Sequence, residues 1–479
     1  MLPEETGGET SERAEKGEAE SMAELIESWL GNPLFRRVLG LFTKRSAGER
    51  RFEKILRHYA GEEVDFGLGD RVSHLLVERI LDSVVQGAGL EPNEARENLK
   101  QGYWRKGLAS VFEGITWRGP QKPFTSYCPF LVVWNFTNAC NLNCKHCYQK
   151  ADRPTPDELT TEEALDAVDE MADAGLAYIA MSGGEPLMRD DFFEVVEKIG
   201  ERDMGFSLAT NGTMLSEERV EKLEKNDCLY AQISVDGRRD THNDLRGADS
   251  FERTIDGVRN AVDSDLTVGI AMTVTGDNLS DVDWVIDKTE EVGADIFMHY
   301  NFIPAGRGKD NIELDISPEE REGLLKKLAK ASEDRDIDLL STSPQYGRVC
   351  AEGGLATTSL THFDTVGQEE GMGERVEFLA EFVGGCGTGR LYWALQPNGD
   401  LTPCVFLPKK LGNIREDDFL ETWRNHPFLE KIREREGFKG NCGSCEHRNI
   451  CGGCRARAYG YFDDILAPDP GCLKNEEYW

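Results

Sequence analysis

From Phe130 to Phe302 the chain alternates short apolar runs with segments of helical period, six times over. That alternation limits the possible fold more than any other feature. The strand candidates are Phe130–Phe136, Ala177–Met181, Gly205–Ala209, Leu229–Ser234, Leu266–Thr273 and Asp295–Phe302, with helix-period segments near 160–174, 190–202, 216–226, 250–263 and 279–292 between them. Thr160 with Glu163, and Ser317-Pro318-Glu319-Glu320, carry helix-start signals, a side-chain cap answered three residues later by a glutamate. Parallel neighbours need a crossover, usually a helix, so this repetition predicts an α/β fold with a parallel sheet. Six units are too few to close an eight-stranded barrel. The expectation is a partial (β/α)6 barrel with its chemistry at the carboxyl ends of the strands.

The first of those ends carries Asn138-Ala139-Cys140-Asn141-Leu142-Asn143-Cys144-Lys145-His146-Cys147-Tyr148. Cys140, Cys144 and Cys147 are one thiolate short of the four that usually hold an iron–sulfur cube, which would leave one iron open to a small molecule. The second strand ends in Met181-Ser182-Gly183-Gly184-Glu185-Pro186, where two glycines allow backbone to approach a ligand closely and Glu185 could hold an amino group. Asn211, Ser234 and Asp236 follow the third and fourth strands, His242 to Arg246 comes next, and Phe302-Ile303-Pro304-Ala305-Gly306-Arg307-Gly308 follows the sixth. Asn, Ser and Asp also cap helices and form turns, and the last segment also reads as a Gly-Pro turn. A second cysteine group comprises Cys386, Cys404, Cys442, Cys445, Cys451, Cys454 and Cys472. Paired CxxC motifs bind zinc well, so a zinc ribbon stands beside an iron–sulfur reading.

CxxxCxxC after the first strand and GGEP after the second, one helix apart, resemble the radical S-adenosylmethionine (SAM) superfamily. The seven later cysteines resemble its SPASM extension, which holds auxiliary clusters. The resemblance implies a TIM-like partial barrel in which Cys140, Cys144 and Cys147 hold a 4Fe-4S cluster. SAM would lie against His146, Tyr148, Ser182, Gly183, Gly184, Glu185, Pro186, Asn211, Ser234, Asp236 and Arg246, with residues 302–308 on the adenine side. It further implies reductive cleavage of SAM to a 5′-deoxyadenosyl radical, which takes hydrogen from a substrate, and a low-potential electron donor such as ferredoxin. Carried over, Cys442, Cys445, Cys451 and Cys472 would hold one auxiliary cluster and Cys386, Cys404 and Cys454 another. The second set has three thiolates, leaving an open iron, another ligand (Cys350 and Cys128 are candidates), a smaller cluster or none. Cys228 reads as a small buried hydrophobe. The block Cys451-Gly452-Gly453-Cys454-Arg455-Ala456-Arg457-Ala458-Tyr459 with Asp469-Pro470-Gly471-Cys472 is similar to radical enzymes of tetrapyrrole (heme-type) tailoring. A ribosomal-peptide or protein maturase, as in pyrroloquinoline quinone synthesis, is the alternative, and a non-catalytic iron–sulfur protein the alternative of another class.

Beyond these motifs, 88 acidic against 55 basic residues give a net charge of −33, which repels nucleic acid. Acidity spread along most of the chain is typical of proteins soluble in concentrated salt. A halophilic, haloarchaeal source is expected, against an ordinary acidic protein. Residues 1–20 lack the apolar core of a signal peptide, and no apolar stretch is long enough to span a bilayer. With 13 cysteines, that predicts a cytoplasmic, reducing location. The expected organisation is a disordered acidic tail at 1–20, a helical domain at 21–119, the barrel at 120–345, a connector at 346–383 and the cysteine-rich domain at 384–479. The apolar face from Trp29 to Phe42 would either pack on the protein or rest on a membrane surface.

Overall fold

The computed structural model describes residues 92–354 and 381–479, with residues 40, 45–46, 49–64 and 81–82. The acidic tail and most of the helical patterns read before residue 82 lie outside the described residues.

Ten strands form one sheet: β1 Leu131–Thr137, β2 Tyr178–Gly183, β3 Gly205–Thr210, β4 Cys228–Ser234, β5 Thr267–Val274, β6 Ile296–Asn301, β7 Asp338–Ser341, β8 Tyr392–Leu395, β9 Asp400–Thr402 and β10 Gly412–Asn413. Their order is β10-β9-β8-β1-β2-β3-β4-β5-β6-β7. Every pairing from β8 to β7 is parallel, and β9 and β10 add an antiparallel edge. The sheet stays open, with β7 and β10 at its edges, so the architecture is a partial barrel. All seven residues of β1 are buried, which is why this central strand reads as a mostly apolar run without polar alternation. The six expected strands are present. β7 and β8 were not expected, because four residues show no period that separates strand from loop.

Helices α1 Arg51–Tyr59, α2 Pro92–Asn98 and α3 Gly102–Arg118 precede the sheet. Helices α4 Thr161–Ala174, α5 Phe192–Glu201, α6 Glu217–Lys225, α7 Arg239–Arg246, α8 Ser250–Val262, α9 Val282–Val292 and α10 Pro318–Ala331 connect its strands. The two start signals form as read: Thr160 with Glu163 and Ser317 with Glu320 are reciprocal capping boxes.

Helix α3 lies across the amino ends of β1 to β3. Ser110 Oγ donates to the Cys128 carbonyl at 2.8 Å and accepts from its amide at 3.1 Å, and Lys106 donates to the Arg202 carbonyl. Glycines make this approach possible, since a Cβ on Gly107 would come within 2.2 Å of the Phe130 ring and one on Gly114 within 2.6 Å of the Thr125 carbonyl.

The cysteine-rich segment is continuous with the barrel, since β8 pairs with β1. Trp393 of β8 packs on Phe419 and Trp423, with ring centroids 4.9 and 5.4 Å away. The connector expected at 346–383 begins inside α11 Gln345–Gly353, a helix with a buried face, and residues 355–380 lie outside the described residues.

Candidate active site

Three strand exits shape the loop of Cys140, Cys144 and Cys147. Asn211, after β3, donates through Nδ2 to Asn141 Oδ1 at 2.8 Å, and Asn141 Nδ2 donates to Thr213 Oγ1 at 2.8 Å. Near the end of α7, the Leu245 carbonyl accepts from the Lys145 amide at 2.8 Å. After β6, Arg307 donates to the Cys144 carbonyl at 2.7 Å and the Ala151 carbonyl at 3.0 Å, while its amide donates to the Cys147 carbonyl. The 302–308 loop therefore clamps the cysteine loop: a Cβ on Gly306 would fall 2.1 Å from the Tyr148 carbonyl oxygen. Arg307 and Asn141 were not singled out from sequence. Their only signal was a place within the cysteine motif and the 302–308 segment.

One cavity of about 700 Å³ is lined by Cys140, Cys144, His146, Cys147, Tyr148, Ser182, Gly183, Gly184, Asn211, Ser234 and Arg246. It runs through the barrel to Tyr103 and Trp104 of α3, past aromatic and aliphatic side chains and the pair Tyr300–Gln232, whose hydroxyl and amide oxygen are 3.0 Å apart. The volume falls within the ~300–1,000 Å³ of small-molecule sites. Tyr148 is fixed by bonds between its hydroxyl and Asn135 Oδ1 at 2.9 Å and Ser182 Oγ at 3.1 Å. Burial pushes the Cys140 and Cys144 thiols up to about 11 and about 12, so loading a metal there must displace their protons. His146 donates through Nε2 to Asp236 at 3.2 Å, and among the described residues its buried Nδ1 has no hydrogen-bond partner, as suits a ligand contact.

Three expected positions stand behind the wall rather than in it. Glu185 is fully buried, and its carboxylate accepts from Thr210 Oγ1 and the Asn211 amide at 2.9 Å and the Leu187 amide at 3.3 Å. Burial pushes its pKa up against those bonds. It ties β2 to β3 and does not reach toward an amino group in the cavity. Pro186 is also buried and starts a short 3-10 turn. Asp236 accepts from Arg246 Nε at 2.5 Å, the Thr273 amide at 2.9 Å and His146. Burial alone would raise its pKa, yet Arg246 and His146 hold the carboxyl far below the usual range. Arg246 thus pairs with a carboxylate of the chain itself. The glycines also serve differently than expected. A Cβ on Gly184 would lie 2.1 Å from the Ala139 carbonyl and one on Gly183, at φ +122°, 2.7 Å from that of Thr137, so the close approach they permit is to the cysteine loop.

The later cysteines fall into two groups. Cys442, Cys445, Cys451 and Cys472 line one narrow cleft. Amide N–H groups point at their sulfurs, Asp469 to Cys442 at 3.4 Å and Gly453 to Cys451 at 3.3 Å, as does the Asn475 side chain to Cys442 at 3.4 Å. Cys386 and Cys404 flank Tyr392, whose hydroxyl is 3.4 Å from Cys404 Sγ, and Cys454 lies within electrostatic reach of Cys386. Among the described residues no three His, Cys, Asp or Glu side chains are close enough to share a single ion, as a zinc ribbon requires. A cube, larger than one ion, takes its thiolates farther apart. Cys128 is buried just before β1, held through its backbone by Ser110 of α3. Cys350 packs in the core on α11 beside Tyr346, and Cys228 is buried at the start of β4.

A partial barrel with three cysteines at its first strand exit, and a cysteine-rich segment sharing its sheet, defines the class of iron–sulfur enzymes that work on SAM. The radical SAM superfamily profile matches residues 134–289, and that of the SPASM iron–sulfur cluster-binding domain matches residues 386–454. The AdoMet-dependent heme synthase of Methanosarcina barkeri is 35% identical over 349 residues, 72% of this chain and 96% of that protein. The mycofactocin maturase of Mycobacterium tuberculosis is 29% identical over 72% of this chain and 83% of its own length. Streptococcus suis SuiB bound to S-adenosylmethionine shares the fold, with TM-score 0.61 and 18% identity over 88% of this chain and 92% of that one. The chain belongs to the radical SAM superfamily and carries its SPASM extension. It is an enzyme whose cofactors are a 4Fe-4S cluster, SAM and auxiliary iron–sulfur clustering in the SPASM segment.

Proposed function

We propose that this enzyme tailors a tetrapyrrole, altering a propionate or acetate side chain in heme-type cofactor synthesis. The observation that carries the reading is the 35% identity to an AdoMet-dependent heme synthase across nearly that protein's full length. Cys140, Cys144 and Cys147 would hold the cluster that, reduced by a low-potential donor such as ferredoxin, supplies the electron for SAM cleavage. His146, Ser182, Asn211 and Ser234 would orient SAM, while Glu185, Asp236 and Arg246 keep the surrounding loops in place. Cys442, Cys445, Cys451 and Cys472 would hold one auxiliary cluster, and Cys386, Cys404 and Cys454 a second with one position left for another ligand.

The cavity supports an aromatic substrate. Its far end is lined by Tyr103, Phe124, Phe130 and Tyr178, and its wall reaches Val405 and Phe406, next to Cys404. Substrate there would stand between the radical site and an auxiliary cluster. Among the described lining residues, Arg246 is the one with a guanidinium or ammonium group, and Asp236 holds it. The maturase similarity favours a second reading, modification of a peptide. Among the described residues no helix is long and apolar enough to cross a membrane, which accords with a cytoplasmic enzyme.

The test is anaerobic incubation of reconstituted protein with SAM, dithionite and either an iron porphyrin bearing propionates or a peptide panel. Loss of a carboxyl group from the porphyrin, with matching 5′-deoxyadenosine, is expected. Turnover of peptides alone would replace this reading with the second. Cys140→Ala, Cys144→Ala and Cys147→Ala should each abolish 5′-deoxyadenosine formation, and Cys442→Ala should lower iron content.

A further inference from the structure

Ten arginines of the described residues are buried. Seven have a carboxylate within 4 Å, as Arg246 has Asp236 and Arg321 has Asp315. The other three, Arg390, Arg435 and Arg455, have no such partner among the described residues, and all three stand beside the auxiliary cysteines. Arg390 donates to carbonyls of Phe124 at 2.6 Å, Val383 at 3.0 Å and Cys386 at 2.7 Å. Arg435 donates to carbonyls of Asn449 at 2.7 Å and Cys386 at 3.2 Å and lies within electrostatic reach of Cys451 and Cys442. Arg455 donates to carbonyls of Ala467 at 2.9 Å and Ile465 at 3.1 Å, and its Nη2 is buried without a hydrogen-bond partner.

Carbonyls satisfy donors but bring no net charge, and a buried cation without a counter-charge is strongly disfavoured. Two carboxylates approach Arg455 without pairing with it: Asp464 is taken by Lys439, and buried Asp469 by Arg457 and Gln345. The negative charge left to offset the three guanidiniums is that of a thiolate-ligated iron–sulfur cluster, which is an anion. Gly452 and Gly453, between Cys451 and Cys454, make room for this pairing. Both have positive φ, +73° and +64°. A Cβ on Gly452 would fall 2.7 Å from Arg435 Cζ, and one on Gly453 would fall 2.6 Å from Arg455 Nη2 and 2.9 Å from Cys442 Sγ. The Gly-Gly step that separates a ligand of one group from a ligand of the other is the point where both guanidiniums come in.

We propose that Arg390, Arg435 and Arg455 are the counter-charges of the auxiliary clusters and set their reduction potentials, with Arg435 serving both groups. Reduction adds negative charge to a cluster, so a fixed cation nearby favours the reduced form and raises the potential. Arg390 acts on the group of Cys386, Cys404 and Cys454, and Arg455 on that of Cys442. The inference rests on the auxiliary ligand groups proposed above. Those are tested separately, by the iron content of cysteine variants in the otherwise unchanged chain.

The experiment is an anaerobic redox titration followed by electron paramagnetic resonance. It uses the full-length chain carrying Cys140→Ala, Cys144→Ala and Cys147→Ala, so that only auxiliary signals remain. Arg390→Gln should lower the potential of one centre, Arg455→Gln that of the other and Arg435→Gln both. The corresponding Arg→Lys variants should return each potential toward the parent value. Unchanged potentials at full iron content would overturn the proposal, as would equal shifts in the Gln and Lys variants. If a Gln variant fails to retain iron, its Lys counterpart decides: retention at the parent potential supports the counter-charge role. Loss of iron in both assigns these arginines to carbonyl hydrogen bonding alone and ends the proposal.

Discussion

Asp236 shows how one side chain can be essential to a site it does not face. It receives Arg246, His146 and a backbone amide, and removing its charge strands a buried guanidinium. Asp236→Asn should destabilise the protein at pH 7 by about 3–5 kcal/mol, read from anaerobic denaturation followed by circular dichroism. The sign with pH follows from the depressed carboxyl. Its contribution is full above the unfolded value of about 3.9 and is lost as pH falls through the far lower folded one, so the gap between variant and parent narrows only in strong acid. Gly184 makes the complementary case. Gly184→Ala puts a methyl against the Ala139 carbonyl. It should therefore lower iron at the first cluster while leaving auxiliary iron intact, by iron analysis in the wild-type and auxiliary-cysteine backgrounds. Spacing identified the three cysteines and the second-strand motif. It could not say that Glu185 and Asp236 turn away from the cavity, because their partners, Thr210 and Arg246, are set by neighbouring strands and helices rather than by local sequence.

At the scale of elements, helix α3 is the floor of the barrel, and Gly107 fixes how close it lies. Gly107→Leu should overpack against Phe130 and destabilise by about 1–3 kcal/mol, with faster hydrogen exchange along α3. Adding Phe130→Ala should recover part of that loss, since the two positions share one contact. The long strands were legible to within a residue or two, Phe130–Phe136 against the observed Leu131–Thr137, because buried parallel strands announce themselves as apolar runs. Asp338–Ser341 and Tyr392–Leu395 were not legible: each has four residues, and what makes them strands is the edge they meet.

For the whole molecule the dominant long-range term is self-repulsion from a net charge of −33. Screening shortens to about 3 Å at 1 M salt, which quiets repulsion while leaving buried pairs such as Arg321–Asp315 nearly untouched. The midpoint of thermal unfolding should therefore rise steadily from low salt to molar KCl, measured by anaerobic scanning fluorimetry. A flat response would assign the acidity to solubility alone.

The pairing of β8 with β1 also bears on how the chain is made. Trp393 and Ala394 settle against Val132 and Val133, partners separated by most of the barrel's sequence. On the ribosome, β1 must therefore wait with an unpaired backbone edge while six further strands emerge, and such edges recruit other chains. The nascent barrel is a client for chaperones until residue 395 is free, and a truncation ahead of β8 should aggregate rather than yield a smaller soluble barrel.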